Sequence, residues 1–343
     1  MSSSGGPPPP PPRGGVGVGE DGKWKWEHSP GAEIVTQEEA DAYDNREIPE
    51  LMTVTHLLND ATEMPRVGYG LYEIPASEAK ALTLKALELG YRHLDCASFY
   101  GNEKEVGEAI AESGLARKEL YVASKVWTDC IGAGPKAVRA SILKSLEFLK
   151  VDYLDCAYVH WPCEGHVEAY KALERLKDEG KVKSLGLSNY RVKDYLALEP
   201  HIRVTPVVNQ IEANPWLYRR ECIGHFGALA IRTVAYKPLL RGKGPDKDPT
   251  IDVIAEQMNC TPAQVLLRWG IDRGFVILPR STNHDRMKEN ISINHLEFTQ
   301  RQMDFLNSLT NDDAIIDFED HFQKRAVIDP KKPTLAVYGG GET

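Results

Sequence analysis

The sequence has no excess of positive charge. Its 41 lysines and arginines are outnumbered by 50 aspartates and glutamates, a net charge of −9. Nucleic-acid binders carry a basic face, so no nucleic-acid partner is expected. There is no C-x-x-C pair and no His/Cys group at zinc spacing. The six cysteines (Cys96, Cys130, Cys156, Cys163, Cys222 and Cys260) lie far apart, so neither a metal site nor a disulfide frame is expected. No apolar run reaches the roughly 18 residues of a membrane helix, and no signal-type apolar region stands near the start. A cytoplasmic setting without membrane contact is the expectation. No G-x-G-x-x-G links a strand to a helix: Gly68-Tyr69-Gly70 continues as Leu71-Tyr72-Glu73. A dinucleotide loop of the doubly wound type is therefore unsupported.

What is present is globular in composition, 42% hydrophobic and 27% charged over 343 residues. That length suits an α/β barrel with additions. Residues 1–20 are Ser, Gly and Pro with almost nothing to bury, which predicts a disordered tail. Its six prolines have the composition of an SH3- or WW-domain ligand, but a solvated tail without a partner is preferred over docking. Residues 21–50 form an N-terminal extension in which Trp24 and Trp26 alternate with lysine in a short extended stretch.

From residue 51 the pattern is regular. Strand-like apolar runs fall at 67–71, 91–95, 120–126, 153–159, 182–187, 206–211, 229–235 and 274–278. Helical patterns lie between them. Ser77 is the expected cap of a helix ending at Gly90, and Asn102 with Glu105 reads as a capping box. Val138, Ile142, Leu146 and Leu149 form one apolar stripe. Val167, Tyr170, Leu173 and Leu176 form another, stopped by Gly180. Thr261, Pro262 and Gln264 carry a cap, a first-turn proline and a box partner. Eight strand–helix alternations imply parallel strands with helical crossovers. A closed barrel and an open doubly wound sheet both satisfy that count.

Charged residues stand at the ends of three successive strands: Asp95, Lys125 and His160, with Tyr100 five residues beyond the aspartate. Such residues are costly at buried strand ends unless paired. An Asp95–Lys125 pair alone is satisfactory as structure. The addition of a tyrosine and a histidine points to proton handling. A free phenol, with a pKa near 10, is a poor acid at neutrality, and a neighbouring ammonium lowers that value. Lys125 is expected to do this to Tyr100, with Asp95 holding Lys125 and His160 orienting a carbonyl oxygen.

Six segments, in one collinear order over about residues 51–310, resemble the signature segments of the aldo-keto reductases. They are Leu94-Asp95 with Tyr100-Gly101-Asn102-Glu103, Ser124-Lys125-Val126-Trp127, Val159-His160-Trp161-Pro162, Gly186-Leu187-Ser188-Asn189-Tyr190, Val208-Asn209-Gln210 through Pro215, and Leu278-Pro279-Arg280-Ser281-Thr282-Asn283. The resemblance implies a (β/α)8 TIM barrel with a short N-terminal hairpin over 51–310, followed by a C-terminal tail, 311–343, near the substrate pocket. It implies an NADPH-dependent reductase of aldehydes, with Asp95, Tyr100, Lys125 and His160 as the catalytic tetrad and Tyr100 as general acid. Ser188, Asn189 and Gln210 would hold the nicotinamide carboxamide, and Tyr236 would stack on its ring. Arg280, Ser281, Asn283 and Arg286 would meet a 2′-phosphate at a helix N-terminus, with Glu289 and Asn290 at the adenine. Tyr72, Trp127 and Trp161 would wall the substrate pocket.

Three departures from the family pattern stand out. Tyr72 replaces a frequent tryptophan, and Glu73 stands where lysine is common, which predicts a lost cofactor-clamping salt bridge. The chain passes almost directly from Pro162 into a helix at about His166. Lys237 replaces the usual serine after Tyr236. Two other functions fit the same sequence: a ketone-directed member of the family (hydroxysteroid or diketo-sugar type), and a nucleotide-sensing scaffold on the same barrel. A small-molecule carbonyl substrate and a monomer are expected.

Overall fold

The computed structural model describes residues 55–316, 318 and 319, together with the backbone of Gly15–Val18 and Trp24–Glu27. By internal contacts the chain divides into two units, Met1–Glu50 and Leu51–Thr343. In the first, Gly15–Val18 pairs antiparallel with Trp24–Glu27. The first of these strands begins inside the stretch read as a disordered tail, and the six-proline tract lies outside the described residues.

The second unit is built on eight parallel strands: β1 (Gly68–Gly70), β2 (His93–Asp95), β3 (Tyr121–Val126), β4 (Leu154–Val159), β5 (Val182–Ser188), β6 (Val208–Glu212), β7 (Arg232–Tyr236) and β8 (Val276–Leu278). Each pairs with its neighbours in chain order. The ends of the sheet meet: Val67 bridges Ile277 in parallel, the Ile277 amide donates to the Arg66 carbonyl at 2.8 Å, and the Gly70 amide donates to the Pro279 carbonyl at 3.1 Å. The structure therefore resolves the choice left open by periodicity in favour of a closed (β/α)8 barrel. Every residue of β3 and β4 is buried, as expected of strands covered on both faces.

The α-helices with both ends described are α1 (Ala76–Glu88), α2 (Glu103–Glu112), α3 (Thr128–Gly132), α4 (Pro135–Leu149), α5 (His166–Asp178), α6 (Val192–Leu198), α7 (Arg220–Ala228), α8 (Pro249–Met258), α9 (Pro262–Asp272), α10 (His284–Ile291) and α11 (Gln300–Ser308). The predicted stripe of α4 is buried in full at Val138, Ile142, Leu146 and Leu149. Each such aliphatic side chain stabilises by about 1.5–3 kcal/mol. Gly90 and Gly180 follow α1 and α5 with φ of +101° and +71°, left-handed positions that suit glycine. The capping box of Thr261 and Gln264 forms as expected. Two other caps differ. Pro75, not Ser77, precedes α1, and Ser77 lies within the first turn. Asn102 precedes α2, but its side-chain amide donates to the Leu71 and Ile74 carbonyls at 3.0 and 2.9 Å instead of capping the helix.

A second hairpin, Thr55–Leu57 with Glu63–Pro65, precedes β1. Its Leu58 and Met64 join the barrel-interior cluster of Tyr121, Ala123, Cys156, Tyr158, Val208, Val234, Val276 and Leu278. That interior is filled to contact: a Cβ on Gly186 would stand 2.6 Å from the Tyr158 ring. All six cysteines are free thiols. Among the described residues no helix is long and apolar enough to cross a membrane.

Candidate active site

The residues predicted at the strand ends converge. Asp95 closes β2, Lys125 lies near the end of β3, His160 follows β4, and Tyr100 sits in a 3-10 turn, Ser98–Tyr100. The Lys125 Nζ donates to both Asp95 carboxylate oxygens at 2.8 Å, to the Cys96 carbonyl at 2.9 Å, and to the Tyr100 hydroxyl at 3.1 Å. Lys125 is fully buried. With its charge desolvated, the pair is held by these bonds and not by hydration. The His160 ring meets that of Trp127 edge-on at 4.7 Å and that of Tyr100 at 6.0 Å.

The electrostatics differ from the expectation at one point. Burial pushes the Tyr100 hydroxyl well above its usual pKa, and the Asp95 carboxylate pushes the same way. The Lys125 ammonium 3.1 Å away does not outweigh these effects. Tyr100 is accordingly a protonated phenol at neutral pH. Burial, with Lys125 adding to it, holds His160 well below the usual histidine range. Its imidazole is neutral, and its Nδ1 is buried without a hydrogen-bond partner.

A cavity of about 510 Å³ runs from these residues along the C-terminal ends of the strands. Ser188, Asn189, Gln210 and Tyr236 line it beside Asp95. Asn189 has a left-handed backbone, φ +63°. Its side chain donates to the His160 carbonyl at 3.1 Å and accepts from the Tyr236 hydroxyl at 2.8 Å. Gln210 donates to Asp95 Oδ1 at 2.8 Å, which draws it into the buried ion pair. Arg280, Ser281, Asn283, Arg286, Glu289 and Asn290 line the same cavity farther along. Asn283 caps α10 by accepting from the Arg286 amide at 3.0 Å, and Glu289 accepts from the Thr261 hydroxyl at 2.6 Å. The set of donors fits a nicotinamide dinucleotide. Neutral amides and hydroxyls lie beside an aromatic ring at one end, and two arginines lie at a helix N-terminus at the other.

The expected loss of a salt bridge at Glu73 is not what the structure shows: Glu73 forms one. Its carboxylate accepts from Arg241 at 2.9 and 3.1 Å, joining the loop after β1 to the loop after β7. Arg280 donates to the Glu73 carbonyl at 2.9 Å. Lys237 lines the cavity and pairs with Glu212 at 2.7 Å.

Tyr72, Trp127 and Trp161 line the cavity around Tyr100 and His160, and so does Phe99. Sequence reasoning did not select Phe99. It stacks on Trp127 with ring centroids 3.9 Å apart, and its only sequence signal is adjacency to Tyr100 in the turn. From the C-terminal region, Phe318 and Ile315 pack with Trp127, Trp161 and Leu217, and Glu319 pairs with Arg219. The remainder of the tail, 320–343, lies outside the described residues. As expected, the connection after Pro162 is short, and α5 begins at His166.

Residues 66–311 match the model of the Aldo/keto reductase family, and the chain belongs to that family of oxidoreductases acting on carbonyl groups. Among its curated relatives, a glyoxal reductase of Bacillus subtilis is 36% identical over 78% of this chain and 97% of its own length. A methylglyoxal reductase of Escherichia coli is 35% identical over 69% and 86%. Among solved structures, an aldo-keto reductase of Bombyx mori in complex with NADP superposes with a TM-score of 0.71 at 29% identity, covering 79% of this chain and 98% of that one.

Proposed function

We propose that this chain is an NADPH-dependent reductase of aldehydes, with Tyr100 as the general acid. The observation that carries the reading is the Tyr100 hydroxyl at 3.1 Å from a Lys125 ammonium that Asp95 grips with both oxygens, at the end of a cavity leading to two arginines. NADPH, when bound, supplies the hydride that adds to the carbonyl carbon. Ser188, Asn189, Gln210 and Tyr236 would hold its nicotinamide end. Arg280, Ser281, Asn283, Arg286, Glu289 and Asn290 would hold its adenosine end, with Arg280 and Arg286 favouring a 2′-phosphate. The complex of the Bombyx mori relative with NADP supports this choice of cofactor.

The chain's own groups handle the proton. Tyr100, kept protonated by burial, donates to the carbonyl oxygen as negative charge develops there. Lys125 then stabilises the phenolate left behind, while Asp95 holds the ammonium in place. His160, a neutral imidazole, orients the carbonyl oxygen. Tyr72, Phe99, Trp127 and Trp161 offer aromatic walls that exclude water. The names of two relatives, a glyoxal and a methylglyoxal reductase, put short dicarbonyls first in the substrate panel.

We read 51–310 as the catalytic domain, with 1–20 and 21–50 as extensions and 311–343 contributing to the pocket. A cytoplasmic monomer acting on a small carbonyl compound completes the proposal, and the net charge of −9 supports the lack of a nucleic-acid partner. The test is NADPH oxidation with glyoxal, methylglyoxal, DL-glyceraldehyde and a ketone panel, with NADH in parallel. Wild type is expected to turn over aldehydes, and Tyr100→Phe to lose about two to four powers of ten. Preference for ketones over every aldehyde would move the reading to the ketone-directed type. NADPH binding without reduction of any substrate would make the chain a nucleotide sensor instead.

A further inference from the structure

One buried carboxylate beside the tetrad has no part in the chemistry described above. Glu103 is the first residue of α2 and only 5% exposed. Its Oε1 accepts from the Ser124 hydroxyl at 2.5 Å, and its Oε2 accepts from the Ser145 hydroxyl at 2.9 Å. Ser145 lies on α4 and is 1% exposed; Ser124 lies on β3, next to Lys125, and is fully buried. A carboxylate in such a place costs more than an apolar side chain would, since its two neutral hydroxyl partners do not replace bulk hydration. Burial raises its pKa, while the hydroxyls and the charge of Lys125 oppose the rise. Packing does not need it there. α2 and α4 already touch backbone to backbone one turn on, where a Cβ on Gly107 would stand 2.0 Å from the Phe148 carbonyl.

The bonds around Glu103 show what it does. Successive residues of a strand face opposite sides, so Ser124 and Lys125 present themselves to opposite faces of β3. The segment 98–103 grips both. The Ser98 hydroxyl donates to the Lys125 carbonyl at 3.0 Å, and Ser124 donates to Glu103 on the other side of the strand. Between these two ties lies Tyr100, whose hydroxyl meets the Lys125 ammonium. The same segment is tied at Asn102 to the Leu71 and Ile74 carbonyls.

We infer that Glu103 is a positioning residue which, through Ser124, locks β3 against the 98–103 segment and so sets the approach of the Tyr100 hydroxyl to the Lys125 ammonium. The inference rests on the proposed function and deepens it. The two serine bonds give it a sharp test, because they are alike in burial and acceptor but only one lies on the strand that carries Lys125. A carboxylate that merely joins helices would feel the loss of either serine equally.

The experiment compares Ser124→Ala, Ser145→Ala, Glu103→Ala and Glu103→Gln in the full chain. It reads kcat and KM, NADPH binding by nucleotide fluorescence, thermal midpoints, and the 13Cζ-tyrosine spectrum with Tyr100→Phe to assign the Tyr100 signal. Ser124→Ala is expected to lower kcat on the order of tenfold, within the range that small misplacements cost, with NADPH affinity unchanged. It should also move the Tyr100 signal. Ser145→Ala is expected to lower the thermal midpoint similarly while keeping wild-type kcat and the wild-type Tyr100 signal. Glu103→Gln, with an acceptor for one hydroxyl and an amide for the other, should recover most of the kcat that Glu103→Ala loses. Equal effects of the two serine changes on kcat and on the Tyr100 signal, of whatever size, overturn the inference. If wild type reduces no carbonyl, the proposed function fails, and the Tyr100 signal in the two serine variants still decides the positioning role.

Discussion

Lys125→Met tests the buried pair at the centre of the site. Methionine fills a volume close to that of the lysine but withdraws its charge. Asp95 then loses both bonds from Nζ and keeps the one from Gln210 at 2.8 Å. A carboxylate left buried without its partner costs about 3–5 kcal/mol. In a domain of this size each kcal/mol moves the thermal midpoint by about 2–4 °C, so a fall on the order of 10 °C is expected. Lys125→Met/Asp95→Leu removes both charges and should recover most of the loss, whereas Asp95→Leu alone strands the ammonium. Urea unfolding of the four proteins gives the cycle. A double variant no more stable than either single one would refute the account of this pair.

Further outcomes follow from the geometry. Arg280→Ala is expected to weaken NADPH binding about tenfold to a hundredfold while changing NADH binding little, because a charge-assisted bond to the 2′-phosphate is worth about 1.5–3 kcal/mol; fluorescence titrations with both cofactors measure it, and equal losses would place Arg280 away from that phosphate. The kcat/KM for reduction should be flat between about pH 6 and 8, since His160 stays neutral and Tyr100 stays protonated there, and it should fall only at alkaline pH as the phenol ionises. A break in the histidine range that vanishes in a His160 variant would count against the neutral imidazole. Gly186→Ala brings a Cβ to 2.6 Å from the Tyr158 ring and 3.0 Å from Val208, and should destabilise by about 1–3 kcal/mol in urea; the further change Tyr158→Leu should return part of it.

Much of this architecture could be read from the chain because parallel strands covered on both faces are continuous apolar runs. β3 and β4 stood out for that reason. Asp95, Lys125 and His160 were conspicuous because charge at the end of such a run requires an explanation. Barrel closure was not visible, since it depends on a bridge between Val67 and Ile277 and on carbonyls at Arg66 and Pro279. Spacing also could not show that Asn102 uses its amide on carbonyls about 30 residues back, or that Glu73 finds Arg241 168 residues away. Gln210 reached Asp95 across 115 residues in the same way. The expected lowering of the Tyr100 pKa failed for a related reason. The ammonium was evident in the sequence, but the depth of burial was not.

The bridge between Glu73 and Arg241 leaves its two side chains 37% and 41% exposed. Such a pair contributes at most about 1 kcal/mol and is screened over roughly 8 Å at physiological ionic strength. The deep pair of Lys125 and Asp95 is shielded from the same screening. Dissolved salt therefore acts on the two ion pairs separately: it weakens the bridge between the loops after β1 and β7 and leaves the Lys125–Asp95 pair in place. For this chain, ionic strength is a means of changing the tie between those two loops without changing the ion pair at the strand ends.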